Sequence, residues 1–195
     1  MLERDLDPDP IEAIRAWLDA AHEAGLGPPD RMLLATATPA GAPSARLVLL
    51  KSVRSDGLVF YTNRRSRKGR ELAANPRAAL VLYWEELGRQ VRVEGMVEEV
   101  GDAESAAYWA TRPLGSRISA SISPQSEVVE SRAWLEARVA ELAARTDDPP
   151  LPPHWGGYRV IAEVVELWQH RDDRLHDRVR YTRAADGWRR ERLAP

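Results

Sequence analysis

Five residues near the end of the chain, Arg174-Leu-His-Asp-Arg178, bring two guanidiniums and an imidazole together. In an extended backbone, alternation puts Arg174, His176 and Arg178 on one face and Leu175 and Asp177 on the other. Cationic side chains repel at that spacing. A fold that covers this face therefore has to place something anionic or aromatic between them.

Other clusters suggest what that group is. Ser66-Arg67-Lys68-Gly69 opens a short helix. Free N–H groups at a helix start, with two cations beside them, suit a phosphate. Cations at that end oppose the helix dipole, a conflict that a bound anion removes. Arg46-Leu-Val-Leu-Leu-Lys51 is a strand with a cation at each end. Strict alternation sends Arg46 and Lys51 to opposite faces, which leaves three readings. A bulge lets both reach one ligand, or they serve different groups, or both are solvated on an edge strand. Lys51 and Lys68 are the two lysines among 28 basic residues, and both fall in these segments.

Gln90 and Arg92 share a strand face, and a glutamine amide both donates and accepts, as the edge of a heterocycle requires. Tyr108, Arg112 and Ser116 are spaced by four. Tyr108 and Arg112 share a helix face, and Pro113 breaks the helix so that Ser116 starts a new turn. Hydroxyls flanking a guanidinium describe a second phosphate site, against the plainer reading of an ordinary helix surface. Gln125-Ser126 precedes a long helical pattern, with Ser126 suited to its N-cap.

Composition removes several classes. With no cysteine there is no disulfide, thiolate nucleophile or Cys-type zinc site. His170 and His176 lack the accompanying carboxylates of a metal motif. No GxSxG, P-loop or GxGxxG sequence is present. A net charge of −2 and the absence of a basic, aromatic-interleaved strip argue against nucleic acid. No apolar run reaches bilayer length and no leader-like start is evident, so a cytoplasmic location and no membrane partner are expected.

These residues need a frame. Asp9 as N-cap, Pro10 at N1 and Glu12 as the capping-box return predict a helix over about 9–25, with Ile11, Ile14, Trp17, Leu18 and Ala21 as its apolar stripe. Strands are predicted at 31–38, 44–52, 58–63, 78–85, 89–100 and 158–169, with a closing hairpin around Asp186-Gly187. A short helix runs from Ser66 to before Asn75-Pro76. A helical insertion covers about 102–145, in segments 102–112 and 126–145. The order is not βαβαβ. It predicts a mainly β fold, an antiparallel barrel of about seven strands with helices packed outside, as a single domain over 1–195.

Taken together, RLVLLK (46–51), FYTN (60–63), SRKG (66–69), RQVR (89–92), QS (125–126), WGG (155–157), WQ (168–169) and RLHDR (174–178) resemble the pyridoxamine/pyridoxine 5′-phosphate oxidase family. The matching segments run in family order from about residue 9 to the end. The resemblance implies a split β-barrel that binds FMN at the interface of a homodimer. It implies FMN contacts from Arg46, Val48, Leu50, Lys51, Tyr61 and Thr62, from Arg67 and Lys68, and from Gln90, Gln125, Ser126, Trp168 and Arg178. Lys51, Tyr108, Arg112 and Ser116 would hold the 5′-phosphate of a phosphorylated B6 vitamer, with Arg174 and His176 over its ring as the catalytic pair.

The implied reaction takes a hydride from C4′ to the flavin and returns the electrons to O2 as H2O2. With the amine substrate, water releases ammonia, leaving pyridoxal 5′-phosphate and placing the chain in vitamin B6 metabolism. Two other readings keep the flavin: a split-barrel oxidoreductase of phenazine-pathway type, and a non-catalytic flavin or pyridoxal phosphate carrier. Two departures stand out. The start is short where the family carries a longer arm with Arg and Tyr, so a reduced lid is expected. His170 replaces the family's glycine after Trp-Gln and is expected to point to solvent.

Overall fold

The computed structural model describes residues 3–195; Met1 and Leu2, the first residues of the arm expected to be reduced, lie outside the described residues. The strands are β1 (Arg31–Ala37), β2 (Pro43–Leu49), β3 (Ser52–Arg54), β4 (Gly57–Asn63), β5 (Arg77–Trp84), β6 (Arg89–Glu99), β7 (Trp155–Gln169), β8 (Asp177–Ala184) and β9 (Gly187–Arg192). The α-helices are α1 (Pro10–Glu23), α2 (Arg67–Ala74), α3 (Asp102–Thr111), α4 (Leu114–Ile122) and α5 (Arg132–Arg145).

All strand pairings are antiparallel. Seven strands follow the path β2-β1-β5-β6-β7-β4-β3, and the β8–β9 hairpin adds to β7. β7 explains the split in this barrel. One of its edges pairs with β6 from Tyr158 to Gln169. The other serves β4 over Trp155–Val160 and then β8 over Val164–Gln169. Between these stretches the sheet bends. The β6–β7 register shifts at Glu94/Gly95, where a Cβ on Gly95 would lie 1.9 Å from the Ile161 carbonyl oxygen, so only glycine allows the approach.

Alternation fills the interior, with Met32, Leu34, Leu58, Phe60, Leu80, Leu82, Val91, Val93, Val165 and Leu167 buried. α1 adds Ile11, Ile14, Trp17 and Ala21 to this core. Asp9 caps α1 by accepting from the Ile11 N–H at 2.9 Å. Glu12 does not return the capping box: it pairs with Arg15, and the Asp9 N–H donates to Asp7 instead. The mainly β, antiparallel split barrel with external helices agrees with the sequence. Helix α4 and the short strand β3 were not expected, and three further differences shape the site.

First, the expected 44–52 strand is broken at Leu50-Lys51. Leu50 N–H donates to Asp30 and Lys51 N–H to Val59, so the chain changes pairing partners there. Second, the long helix begins at Arg132, not Ser126. Ser131 is the true cap, accepting from the Trp134 N–H at 3.1 Å. Ser126 lies in the preceding loop with φ +76°. Third, β7 begins three residues before Tyr158, because Trp155 pairs with Asn63.

Candidate active site

A cleft of about 550 Å³ lies where β2, β4, the start of α2, the end of α3 and the 125–126 loop converge. A second hollow of about 490 Å³ continues from it towards α4, sharing Tyr61, Thr62, Arg112, Gln125 and Trp155.

The α2 end is built from its cap. Ser66 accepts from the Gly69 N–H. Gly69 is required there, because a Cβ would lie 2.0 Å from the Arg64 carbonyl oxygen. This tight approach turns Lys68 inward, where it is 7% exposed. Its Nζ donates to Gln125 Oε1 at 2.9 Å and to Thr62 Oγ1 at 3.2 Å. Burial, helped by the nearby Arg46 charge, pushes its pKa down to about 8.

Beneath the cleft lies Glu71, which sequence reasoning missed. It accepts from Ser44, Thr36 and Arg67, and pairs with Arg46 at 3.4 Å. Burial pushes its carboxyl up, but these hydrogen bonds outweigh that and hold it at about 2. Its i+4 spacing from Arg67 was the available signal. Glu71 thus fixes two of the cleft's guanidiniums.

The break at Leu50-Lys51 resolves the alternation problem: Arg46, Val48 and Lys51 all line the cleft. Lys51 is held by Asp30 at 2.9 Å. Leu50 turns the other way, into the core.

The opposite wall is aromatic. The Tyr61 and Tyr108 rings stack at 4.0 Å, and Tyr61 lies parallel to Trp155 at 5.4 Å. Burial, with a smaller part from Glu104, pushes the Tyr61 hydroxyl up to about 12, so it is neutral at ordinary pH. Arg112 lies over the Trp155 and Trp109 rings, with its Nη1 buried and without a hydrogen-bond partner among the described residues. Ser116 lines the α4 hollow and Ser126 the main cleft.

The remaining predicted residues are not in this cleft. Gln90, Trp168 and Arg178 lie side by side across β6, β7 and β8, in register Gln90↔Trp168↔Arg178. Tyr61 pairs with Gly157. Gly157 and Trp168 are eleven residue steps apart along β7, roughly 35 Å of extended strand. Arg178 is locked to Glu166 at 2.7 Å.

The segment before β8 is a turn and not an extended strand, which corrects the single-face expectation for Arg174, His176 and Arg178. Asp173 closes the turn by accepting from the Leu175 N–H, and Arg174 adopts φ +62°. Leu175 is exposed, whereas Asp177 is buried between Arg171 and Arg192. His176 Nδ1 accepts from the Arg171 N–H at 3.1 Å. His170 is half-exposed but does more than face water. Its ring lies 5.2 Å from His176 and 6.0 Å from Trp168, and its Nε2 is 3.4 Å from Asp172.

No helix among the described residues is long and apolar enough to cross a membrane. Residues 18–145 match the family model described as pyridoxamine 5′-phosphate oxidase. Residues 155–195 match the model of the pyridoxine 5′-phosphate oxidase C-terminal dimerisation region. A pyridoxine/pyridoxamine 5′-phosphate oxidase of Burkholderia thailandensis is 55% identical, the alignment covering 98% of this chain and 91% of the relative. Among solved structures, PhzG from Burkholderia lata 383, in complex with tetrahydrophenazine-1-carboxylic acid, superposes with a TM-score of 0.96 at 34% identity, covering 100% of this chain and 98% of that one. A pyridoxamine 5′-phosphate oxidase-related, FMN binding protein from Nostoc punctiforme shares the fold, with a TM-score of 0.74 at 22% identity over 92% of this chain and 96% of that one.

Proposed function

Because this chain belongs to the pyridoxamine 5′-phosphate oxidase family, we propose that it is an FMN-dependent oxidase that converts pyridoxamine 5′-phosphate or pyridoxine 5′-phosphate to pyridoxal 5′-phosphate. The observation that carries this reading is the distribution of cations in the cleft. Arg46, Arg67 and Lys68 gather at the α2 end, whereas Arg112 stands across the cleft with a buried, unpartnered Nη1. Two separated cationic groups suit two phosphates, one on the cofactor and one on the substrate. The depressed Lys68 pKa marks a charge in need of an anion.

In this reading Arg46, Arg67 and Lys68 hold the FMN phosphate, with Thr62, Gln125 and Ser126 beside it. Lys51, Tyr108, Arg112 and Ser116 hold the substrate phosphate. Bound FMN supplies the two-electron acceptor for oxidation at C4′, with O2 as final acceptor and H2O2 as product. The chain's own part is to orient and polarise. With Nδ1 accepting from Arg171, a neutral His176 carries its proton on Nε2 and offers it as a donor to the substrate. Arg174, in the turn beside it, covers the ring.

Gln90, Trp168, Arg174, His176 and Arg178 are too far along β7 to serve the cleft of their own chain. We therefore infer a homodimer in which each cleft is completed by a second copy. The match of 155–195 to a dimerisation region supports this. So does the exposed apolar face of β2, β1 and β5, where Leu33, Leu47, Leu49 and Tyr83 meet water in one chain. The continuity of β7 across both halves supports a single domain.

The test is anaerobic mixing of the yellow protein with pyridoxine 5′-phosphate. Bleaching of the flavin is expected, with Arg174→Ala slowing it sharply while FMN stays bound. Flavin left oxidised by the wild type, or an Arg174→Ala rate equal to wild type, overturns the assignment. The likeness to PhzG favours a second reading, oxidation of a reduced phenazine carboxylate in the same cleft. Bleaching by that compound and not by pyridoxine 5′-phosphate selects it.

A further inference from the structure

We infer that Trp155 is the positioning residue of the second anion site, holding the Arg112 guanidinium with its edge towards the ligand. The inference rests on the assignment of Arg112 to the substrate phosphate. Trp155 is 4% exposed and lines both the main cleft and the α4 hollow, so it stands where the two meet.

The other cleft cations are held by hydrogen bonds or ion pairs: Arg46 and Arg67 by Glu71, Lys51 by Asp30, Lys68 by Gln125. Arg112 has no carboxylate partner among the described residues. Instead its Cζ lies 4.7 Å from the Trp155 ring centre and 5.1 Å from that of Trp109. The two indoles meet at 66° with centres 4.9 Å apart, and so form a corner around the guanidinium. Rings cover a guanidinium through its faces and leave its edge for hydrogen bonding. Nη1 is buried and has no hydrogen-bond partner among the described residues. A carboxylate in place of Trp155 would pair with the guanidinium and compete with an incoming anion; an indole holds the charge without neutralising it.

Gly157, two residues after Trp155, belongs to the same device. A Cβ on Gly157 would lie 2.6 Å from Tyr61 Cε1, so its absence lets the Tyr61 ring lie parallel to Trp155. Trp155 thus supports Arg112 on one side and the Tyr61–Tyr108 stack on the other. Trp109 is anchored separately, its Nε1 donating to the Pro149 carbonyl at 3.0 Å.

The test uses the FMN-loaded protein, with inorganic phosphate as probe, measured by calorimetry and as a competitor of pyridoxine 5′-phosphate. Trp155→Leu is expected to weaken phosphate binding and raise KM together, about tenfold, with kcat within about threefold and FMN affinity unchanged. Trp155→Phe, which keeps a smaller ring and a filled wall, is expected to lose about threefold. In an Arg112→Ala background, which removes the cation, Trp155→Leu should add nothing to the loss. Wild-type phosphate affinity in Trp155→Phe and Trp155→Leu overturns the inference. So does a parallel loss of FMN affinity and thermal midpoint, which would mark Trp155 as wall alone. If the wild type binds phosphate but fails to oxidise pyridoxine 5′-phosphate, the substrate reading falls, and the calorimetric comparison still decides the role of Trp155.

Discussion

Lys68 is the residue whose charge ties ligand binding to pH. Its ammonium is held at about 8, below the ordinary lysine value, by burial and by Arg46. An unfolded chain therefore binds more protons here between about pH 8 and about pH 10.5, so ligand-free stability rises with pH across that window. Below it, the buried charge costs on the order of 3 kcal/mol. A phosphate beside Nζ reverses the balance by restoring the proton. FMN should bind most tightly below about pH 8, then weaken by up to about tenfold per pH unit above it. Fluorescence titration from about pH 7 to about pH 9.5 measures this. A flat profile in the wild type, or an equal slope in Lys68→Arg, whose guanidinium does not titrate, refutes it. Arg67-Lys68 at a helix start already pointed to an anion in the sequence, because two cations there oppose the helix dipole. Glu71 did not announce itself, since its importance comes from Thr36 and Ser44, which are distant in sequence. Nor did the φ of Ser126 and Arg174, non-glycine residues in a conformation that sequence preference assigns to glycine or asparagine.

At the scale of elements, alternation and turn chemistry made the strands legible, but the points where partners change were not. The break at Leu50-Lys51 follows from the handover between Asp30 and Val59, a tertiary event that no local pattern records. Likewise Gln125-Ser126 reads as a helix start until Ser131 is seen to do the capping. Gly69 shows the same override in a testable form. Helix propensity alone predicts that Gly69→Ala stabilises α2 by about 1 kcal/mol. The Arg64 carbonyl oxygen, 2.0 Å from the would-be Cβ, predicts the opposite sign. We expect a loss of about 1–3 kcal/mol in urea denaturation, as for overpacking elsewhere. FMN affinity should fall with it, because Arg67 and Lys68 ride on the same turn. A gain in stability would show that α2 can move away from Arg64 freely.

For the whole molecule, the sequence placed every chemical cluster in order along the chain, but it could not show that they lie at two ends of one strand. That separation comes from β7, which serves β4 at Trp155–Val160 and β8 at Val164–Gln169. Disrupting the dimer should therefore abolish turnover without unfolding the barrel: a charge at Tyr83, which is 54% exposed and lies outside the cleft, should give monomers that retain strand content and lose flavin. Monomers with full turnover would refute completion in trans. The same separation makes the enzyme a candidate for complementation between two dead alleles. A Lys68→Ala chain damages the cleft end, and an Arg174→Ala chain damages the far end. In their mixed dimer one site carries both lesions and the other carries neither. With random pairing of equal amounts, about half the dimers are mixed and about a quarter of wild-type activity returns from two inactive stocks.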